Sequence, residues 1–227
     1  IDDAIDLDFN IDIDISYNTI INNYDDGIEI RLHPYDGQVL EISISNNIIR
    51  GNGEDGIQLI DHDGPSNRSF LIERNLIADN EDAGIGLMDE GDTVEDFRGA
   101  SIPDSIAVIN NTFIGNNHGL TGGSNMVVLN NIFVDSTIIG IKNLSGSSVA
   151  AYSLFWGNGT DYISSNIDID NSLFVDPLLD DDYRLTITSP AIDAGTSFYK
   201  LQEKIVLDTL ESDYSGIAPD LGAFEKY

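Results

Sequence analysis

The chain has 227 residues, no cysteine, and 40 acidic residues against 10 Lys and Arg, which gives a formal net charge of −30. Such a chain lacks the basic footprint that nucleic acids and anionic membranes require, so we expect neither as a partner. No apolar run approaches the roughly 20 residues of a membrane-crossing helix, and no membrane insertion is expected. A hydrophobic content of 41% favours a folded domain over a disordered acidic tail.

The first residues already belong to a repeat. Asp2–Leu7 matches the second strand of a unit that is seen in full at residues 41–64, where alternating apolar residues lead through Asn46-Asn47 to a polar turn and Gly56. We therefore expect the chain to begin inside a unit, with earlier units missing. An uncovered first unit leaves strand edges open, which predicts end-to-end self-association at that end.

Two markers recur along the chain. The Gly or Ala that opens the second strand of each unit occurs at Ala4, Gly27, Gly56, Gly84, Gly119 and Gly140. The small polar residue after the first strand occurs at Asn18, Asn47, Asn75, Asn111, Asn131, Ser153 and Ser172. Units of this size cannot bury a core alone, so they must stack. Ile dominates and the Leu-x-x-Leu-x-Leu pattern of leucine-rich repeats is missing, so the markers predict an all-β parallel solenoid of about seven coils with a buried Asn ladder.

The Asn-(Thr/Ile/Leu)-(Ile/Phe) steps and Asp-Gly-Ile turns of residues 1–176 resemble the right-handed parallel β-helix proteins of the pectate-lyase-like superfamily. The resemblance implies a right-handed parallel β-helix and calcium-assisted β-elimination on uronic-acid polymers, a reaction that needs Lys or Arg. Only Arg31, and Arg98 or Lys142, are candidates here, and none lies in a matching motif.

Residues 177–227 read differently from the repeat. Asp176-Pro177, Ser189–Gly195 and Pro219–Glu225 resemble the closing segment of many bacterial surface and secreted β-helix proteins, which implies a C-terminal cap. Phe198–Glu211 is predicted to be a helix within this cap.

Carboxylates recur just before the first marker. The outer row, two residues before it, contains Asp2, Asp25, Glu54 and Asp82, and the inner row, one residue before it, contains Asp3, Asp26 and Asp55. Neighbouring coils lie about 4.8 Å apart, so like charges within each row repel unless a donor or a cation lies between them. Two interpretations stay open: the carboxylates cap turns without metal, or they bind calcium, the predicted cofactor. Zinc is disfavoured because there is no Cys and there are only three His.

A candidate catalytic cluster lies further along the second strands. His33, His62 and Glu90 share one coil position, with Arg31 and Asp61 beside them. An imidazole next to a carboxylate suits acid–base chemistry, and paired carboxylates suit glycoside hydrolysis. The alternative is a solvated, salt-paired loop rim.

The same region offers candidates for substrate binding. The predicted substrate-binding residues are Asp89, Met88, Arg98 and Trp156. Ile60 and Met88 are expected to form an exposed apolar floor, and the insertion Gly91–Asp104 a wall beside it. The column Asp6, Glu29 and Gln58 is expected to be a solvated outer face.

These features lead to one main expectation and one alternative. The carboxylate excess without Cys fits an extracellular or cell-surface protein that uses calcium instead of disulfides, although a cytosolic chain also needs no Cys. We expect a secreted, calcium-dependent module that binds or processes an acidic polysaccharide. If it processes the polysaccharide, it would act as a lyase or hydrolase. The alternative is a non-catalytic structural or adhesive module that binds a cell-surface glycan or assembles with itself.

Overall fold

The computed structural model describes residues 2–226, which fold into three parallel sheets and a short hairpin. Ile1 and Tyr227, the outer ends of the two predicted segments, lie outside the described residues. Among the described residues, no helix is long and apolar enough to cross a membrane.

Six successive coils each contribute one strand to each sheet, and sheet A has a seventh strand after them. Sheet A contains β1 (Ile5–Leu7), β4 (Ile28–Leu32), β7 (Ile57–Asp61), β10 (Ala83–Met88), β13 (His118–Thr121), β16 (Ile139–Lys142) and β19 (Thr160–Ile163). Sheet B contains β2 (Ile13–Ser16), β5 (Leu40–Ser45), β8 (Arg68–Glu73), β11 (Ser105–Ile109), β14 (Met126–Leu129) and β17 (Val149–Ala151). Sheet C contains β3 (Thr19–Ile21), β6 (Ile48–Arg50), β9 (Leu76–Ala78), β12 (Thr112–Ile114), β15 (Ile132–Val134) and β18 (Leu154–Trp156). The prediction of an all-β parallel β-helix is confirmed.

Equivalent residues of successive coils lie directly above one another. Ile28 pairs with Ile5 on one side and Ile57 on the other, and Ile57 pairs in turn with Ile85. Inside the coils these side chains form one continuous apolar core. Phe113, Phe133 and Phe155 stack within it, with ring centroids 4.6 and 5.3 Å apart. Burial of these columns supplies the main drive for stacking, since no coil could bury them alone.

The predicted Asn ladder runs through the bend between sheets B and C. Asn47 donates from its backbone and side chain to Asn75 Oδ1, at 2.9 and 3.0 Å, and Asn75 donates to Asn111 Oδ1 in the same way. A second ladder, which the sequence analysis missed, joins Asn23, Asn52, Asn80 and Asn116 at the bend that leads into sheet A. Both ladders satisfy buried amides by bonding coil to coil.

The glycine marker has a steric cause. A Cβ at Gly56 would lie 2.7 Å from the carbonyl oxygen of Gly84, and one at Gly84 would lie 2.6 Å from that of Gly119. The next coil therefore approaches too closely for any side chain, and Gly opens the second strand for that reason.

The C-terminal segment lies along the side of the solenoid. Leu185, Ala191 and Leu221 pack against Ile114, Ile132 and other outward residues of sheet C. The boundary at residue 176 and the role of the later residues as a cap stay predictions.

The helix predicted for Phe198–Glu211 is wrong. This stretch forms an antiparallel hairpin, β20 (Phe198–Leu201) and β21 (Lys204–Asp208). Its alternate side chains, including Tyr199 and Leu201, pack on an outward apolar patch that includes Val127 and Leu129. Tertiary burial of one face overrides helix propensity in this segment.

We predict that Asn75→Ala destabilises the fold by about 3 kcal/mol, because buried donors and acceptors lose their partners. Asn75 is 0% exposed and also donates to the carbonyl oxygen of Ile44. The matched control is Asn18→Ala at the exposed end of the same ladder, where water replaces the lost bonds and we expect a loss below about 1 kcal/mol. Urea unfolding of both variants measures the difference, and equal losses would contradict the buried-ladder account.

Candidate functional site

The outward side of sheet A carries the charged residues that sequence analysis placed in columns. Asp6, Glu29, Gln58 and Gly86 are paired in register across β1, β4, β7 and β10. The expectation that this column is a solvated face holds for Asp6 and is wrong for the next two: Glu29 is 3% exposed and Gln58 is 0% exposed. Gln58 Nε2 lies 3.4 Å from the carbonyl oxygen of Thr93, so the insertion reaches over this part of the column.

An open cluster, here called the shelf, consists of Asp3, Asp6, Asp8, Glu29 and Arg31. Carboxylate oxygens of Asp3, Asp6 and Glu29 all lie within 4.8 Å of one another. Arg31 Nη1 lies 2.7 Å from Asp8 Oδ1, and its Nη2 lies 2.5 Å from Glu29 Oε1. One guanidinium thus pairs with three of the four shelf carboxylates, Asp6, Asp8 and Glu29, and the shelf keeps an excess of negative charge.

Burial shifts the pKa values of two shelf carboxyls, Asp6 and Glu29. Burial raises the pKa of Glu29 to about 7, against the opposing charge of Arg31. Burial also raises the pKa of Asp6, and the neighbouring Asp8 adds to the shift. Burial alone would lower the pKa of Arg31, but its bond to Asp8 and the charge of Glu29 raise it overall. Arg31 is therefore held as a cation paired with carboxylates, a state that does not allow it to abstract a proton.

The two predicted catalytic histidines lie together beside the shelf. The rings of His33 and His62 stack with centroids 4.4 Å apart. Burial, followed by the charges of His33 and Arg31, lowers the pKa of His62. Burial raises the pKa of Asp61 to about 6, although the His62 backbone N–H opposes the shift. His62 Nε2 and Asp61 Oδ1 are both inaccessible and have no hydrogen-bond partner among the described residues.

The other candidates are more scattered. Asp89 and Glu90 are exposed at the start of the insertion, next to the turn where Gly91 approaches the His62 ring. Arg98 is exposed and forms an ion pair with Asp96. Its carbonyl oxygen accepts a hydrogen bond from Asn143, a residue that lies three coils downstream of His62, so Arg98 is far from the two stacked histidines along the solenoid.

The apolar residues predicted to contact a sugar do not form one exposed surface. Ile60 and Met88 are 0% and 1% exposed, so the predicted exposed floor is wrong. Trp156 is 45% exposed but lies on β18 in sheet C, where it lines a cleft of about 280 Å³ with Asp176 and Tyr183. The structure therefore brings Arg31, His33, Asp61 and His62 together and leaves Trp156 on another face.

The inner carboxylate row caps the next coil. Asp3 Oδ1 accepts from the backbone N–H of Asp26 at 2.9 Å, and Asp26 Oδ1 accepts from that of Asp55 at 2.7 Å. Asp55 Oδ1 accepts in the same way from Ala83. Each of these carboxylates uses one oxygen as a cap, as the turn-capping interpretation requires. Burial raises the pKa of Asp26 to about 8, although the Asp55 N–H opposes the shift.

The outer row is more open. Asp25 and Glu54 line a polar cleft of about 420 Å³ together with Tyr24 and Glu81. Burial raises the pKa of Glu54, and the charges of Asp25 and Asp82 add to the shift. Asp2 is exposed at the first coil. Calcium binding by either row stays a prediction.

The insertion Gly91–Asp104 lies over sheet A. Its Phe97 ring stacks on His118 with centroids 4.0 Å apart, and Lys142 Nζ lies 5.8 Å from the Phe97 centroid. Burial, followed by the charge of Lys142, lowers the pKa of His118 to about 4. Glu95 is carried inward and is only 7% exposed. The sequence analysis did not identify Glu95 as a site residue. The one indication in the sequence is that the outward column changes from the carboxylates Asp6 and Glu29 to Gln58 and Gly86, which are the positions that the insertion covers.

The chain was compared with protein-family models, with curated protein sequences and with solved structures, and none of the three comparisons finds a match.

We predict that the calcium-free protein loses stability as pH rises from about 5 to about 8. A carboxyl whose pKa is higher in the folded state binds its proton more tightly there, and this proton binding stabilises the fold. The stabilisation is complete below the unfolded pKa of about 4 and is lost as the pH rises through the folded pKa. Asp26, Glu29 and Asp61 have folded pKa values of about 8, 7 and 6.

Melting temperatures in EDTA test this trend, and Asp26→Asn should flatten it because one raised pKa is removed. Asp25→Asn, in the neighbouring outer row, is the control and should leave the slope near that of wild type. A melting temperature that climbs steadily with pH, or an unchanged slope in Asp26→Asn, would contradict the assignment.

Proposed function

We propose that the chain is a secreted β-helix module that binds an acidic polysaccharide through calcium ions held on the shelf. The observation that carries this proposal is the convergence of the Asp3, Asp6 and Glu29 oxygens within 4.8 Å on the outward side of sheet A. Hard carboxylate oxygens from separate chain segments are the ligands that calcium takes.

The charge of the protein explains why a cation is needed. With a formal net charge of −30, the surface repels a polyuronate unless cations bridge the two. Calcium takes 6–8 oxygen ligands, so three shelf carboxylates leave positions for uronate oxygens and water. Arg31 offers a fixed positive charge beside them. Affinity for the polysaccharide is therefore expected to require both calcium and the shelf carboxylates.

The shape of this side fits a long chain better than a small molecule. Asp6 and Asp8 have side-chain exposures of 42% and 45%, so the shelf is open to solvent at β1 and just after it, while Glu29 on β4 forms its buried floor. The insertion covers the same sheet further along, from Gln58 to Asn143. A polysaccharide lying along the shelf would thus meet the insertion at its downstream end, next to His33 and His62.

Processing of the bound polysaccharide is a second candidate function. It is favoured by the place of the stacked His33 and His62 rings beside the shelf, and by the pKa values of Asp61 and His62, which burial shifts. In this proposal His62 and Asp61 act as the acid–base pair, and the stacked His33 ring holds the His62 ring in place.

We predict calcium-dependent retention of the protein on pectate, alginate or chondroitin sulfate and its loss in EDTA. Asp6→Asn should weaken binding at least about tenfold, equivalent to about 1.4 kcal/mol, because a calcium ligand is lost. The matched control is Asp14→Asn, which removes an exposed carboxylate from β2 of sheet B and should bind as wild type does.

The same mixtures are assayed for unsaturated uronate and for new reducing ends. Products formed by wild type and absent with His62→Ala, at unchanged retention, would assign processing to the histidine pair. Absence of retention on every polysaccharide in calcium would overturn the binding proposal and favour the structural or adhesive alternative.

A further inference from the structure

A second carboxylate pair lies beneath the insertion, separate from the shelf. Asp55 is 0% exposed and Glu95 is 7% exposed. A Cβ at Gly86 would overlap both Asp55 Oδ2 and Glu95 Oε2, so these two oxygens converge on the space that the glycine leaves free. Asp55 comes from the solenoid turn and Glu95 from the insertion, about 40 residues later in the chain by numbering.

The pair has no cationic partner among the described residues. Every ion pair found there involves Arg31, Arg98 or Lys200, and none reaches Asp55 or Glu95. Burial and the charge of Glu95 raise the pKa of Asp55, and burial raises that of Glu95. Two buried carboxylates side by side cannot both ionise unless a proton or a cation lies between them.

Gln58 gives an independent indication of a bound cation. Its side chain is 0% exposed, and its Oε1 has no hydrogen-bond partner within residues 2–226. Its Nε2 makes only long contacts, 3.4 Å to Asp55 Oδ2 and 3.4 Å to the Thr93 carbonyl oxygen. The two ends of an amide have nearly the same shape, so a half-turn would place Oε1 against these same two oxygens. That arrangement is repulsive without a cation and favourable around one.

We propose that Asp55, Glu95 and Gln58 form a buried calcium site that holds the insertion on the solenoid, with further oxygens from Thr121 and the Thr93 carbonyl. Thr121 Oγ1 lies 3.3 Å from Glu95 Oε2. Five protein oxygens and water fit the 6–8 ligands that calcium takes, and two carboxylates balance its charge. Magnesium fits less well because it demands a tight octahedron and keeps its waters.

An ion bound at this site would hold the insertion in one conformation on the solenoid. Glu95 is two residues from Phe97, which stacks on His118, so an ion bound to Glu95 also holds that aromatic contact in place. None of these ligands belongs to the shelf, so calcium binding here does not depend on whether the shelf binds a polysaccharide.

Amide hydrogen exchange of residues 93–99, with calcium alone and with EDTA, tests the proposal. In wild type we expect calcium to slow exchange at least about tenfold, and magnesium to have a smaller effect. Glu95→Gln keeps the length of the side chain and an oxygen that can accept from the Phe97 N–H. It should abolish the calcium effect and melt in EDTA at or above the wild-type temperature, because one of two repelling acids is removed.

The control is Asp6→Asn, which alters the shelf alone and should keep full calcium protection of residues 93–99. Calcium protection that persists in Glu95→Gln would overturn the site. So would wild-type exchange that is equally slow in calcium and in EDTA, since the pair then holds a shared proton.

Discussion

The structure depends on the stacking of each coil on the next in an unchanged register. Parallel pairing sets this register in all three sheets, and the two Asn ladders fix it at two bends by joining Asn47 to Asn75 and Asn52 to Asn80. Once the register is set, every residue type that repeats in sequence becomes a column in space. Apolar columns form the core, and glycine columns allow the coils to approach closely.

The same register brings carboxylates into rows, where they repel one another. The inner row offsets part of this cost because each carboxylate accepts a backbone N–H from the next coil, as Asp26 does from Asp55. The second oxygen of each carboxylate does not accept a bond from this N–H, and burial destabilises the ionised form of the group. At Glu29 one guanidinium balances only part of the charge of the four shelf carboxylates, whereas at Asp55 no cationic side chain among the described residues forms an ion pair. A bound divalent cation is the simplest balance for the charge that remains at each place.

Much of the fold could be predicted from sequence because it follows from periodic residues. The Gly and Asn markers gave the coil period and the register of sheet A, and the structure confirms both. The hairpin at Phe198–Asp208 could not be predicted in this way, since it depends on an outward apolar patch that only the assembled coils create.

The candidate site was predictable only where it is periodic. His33 and His62 were placed together correctly because they share a coil position. Glu95 was missed because the insertion has no repeat, and its inward path depends on contacts such as Phe97 with His118. For the same reason the burial of Gln58 and Met88 was not foreseen: the sequence shows which column a residue joins but not which columns a loop covers.

We propose that the carboxylates brought together by the coil register and by the insertion are balanced by divalent cations. The most direct measurement is anomalous diffraction from crystals grown with calcium, or with a heavier lanthanide in its place. The account predicts an ion bound by Asp55, Glu95 and Gln58, and a second one among Asp3, Asp6 and Glu29. Crystals without an ion at either place, with the Asp55 and Glu95 carboxyls sharing a proton, would contradict it.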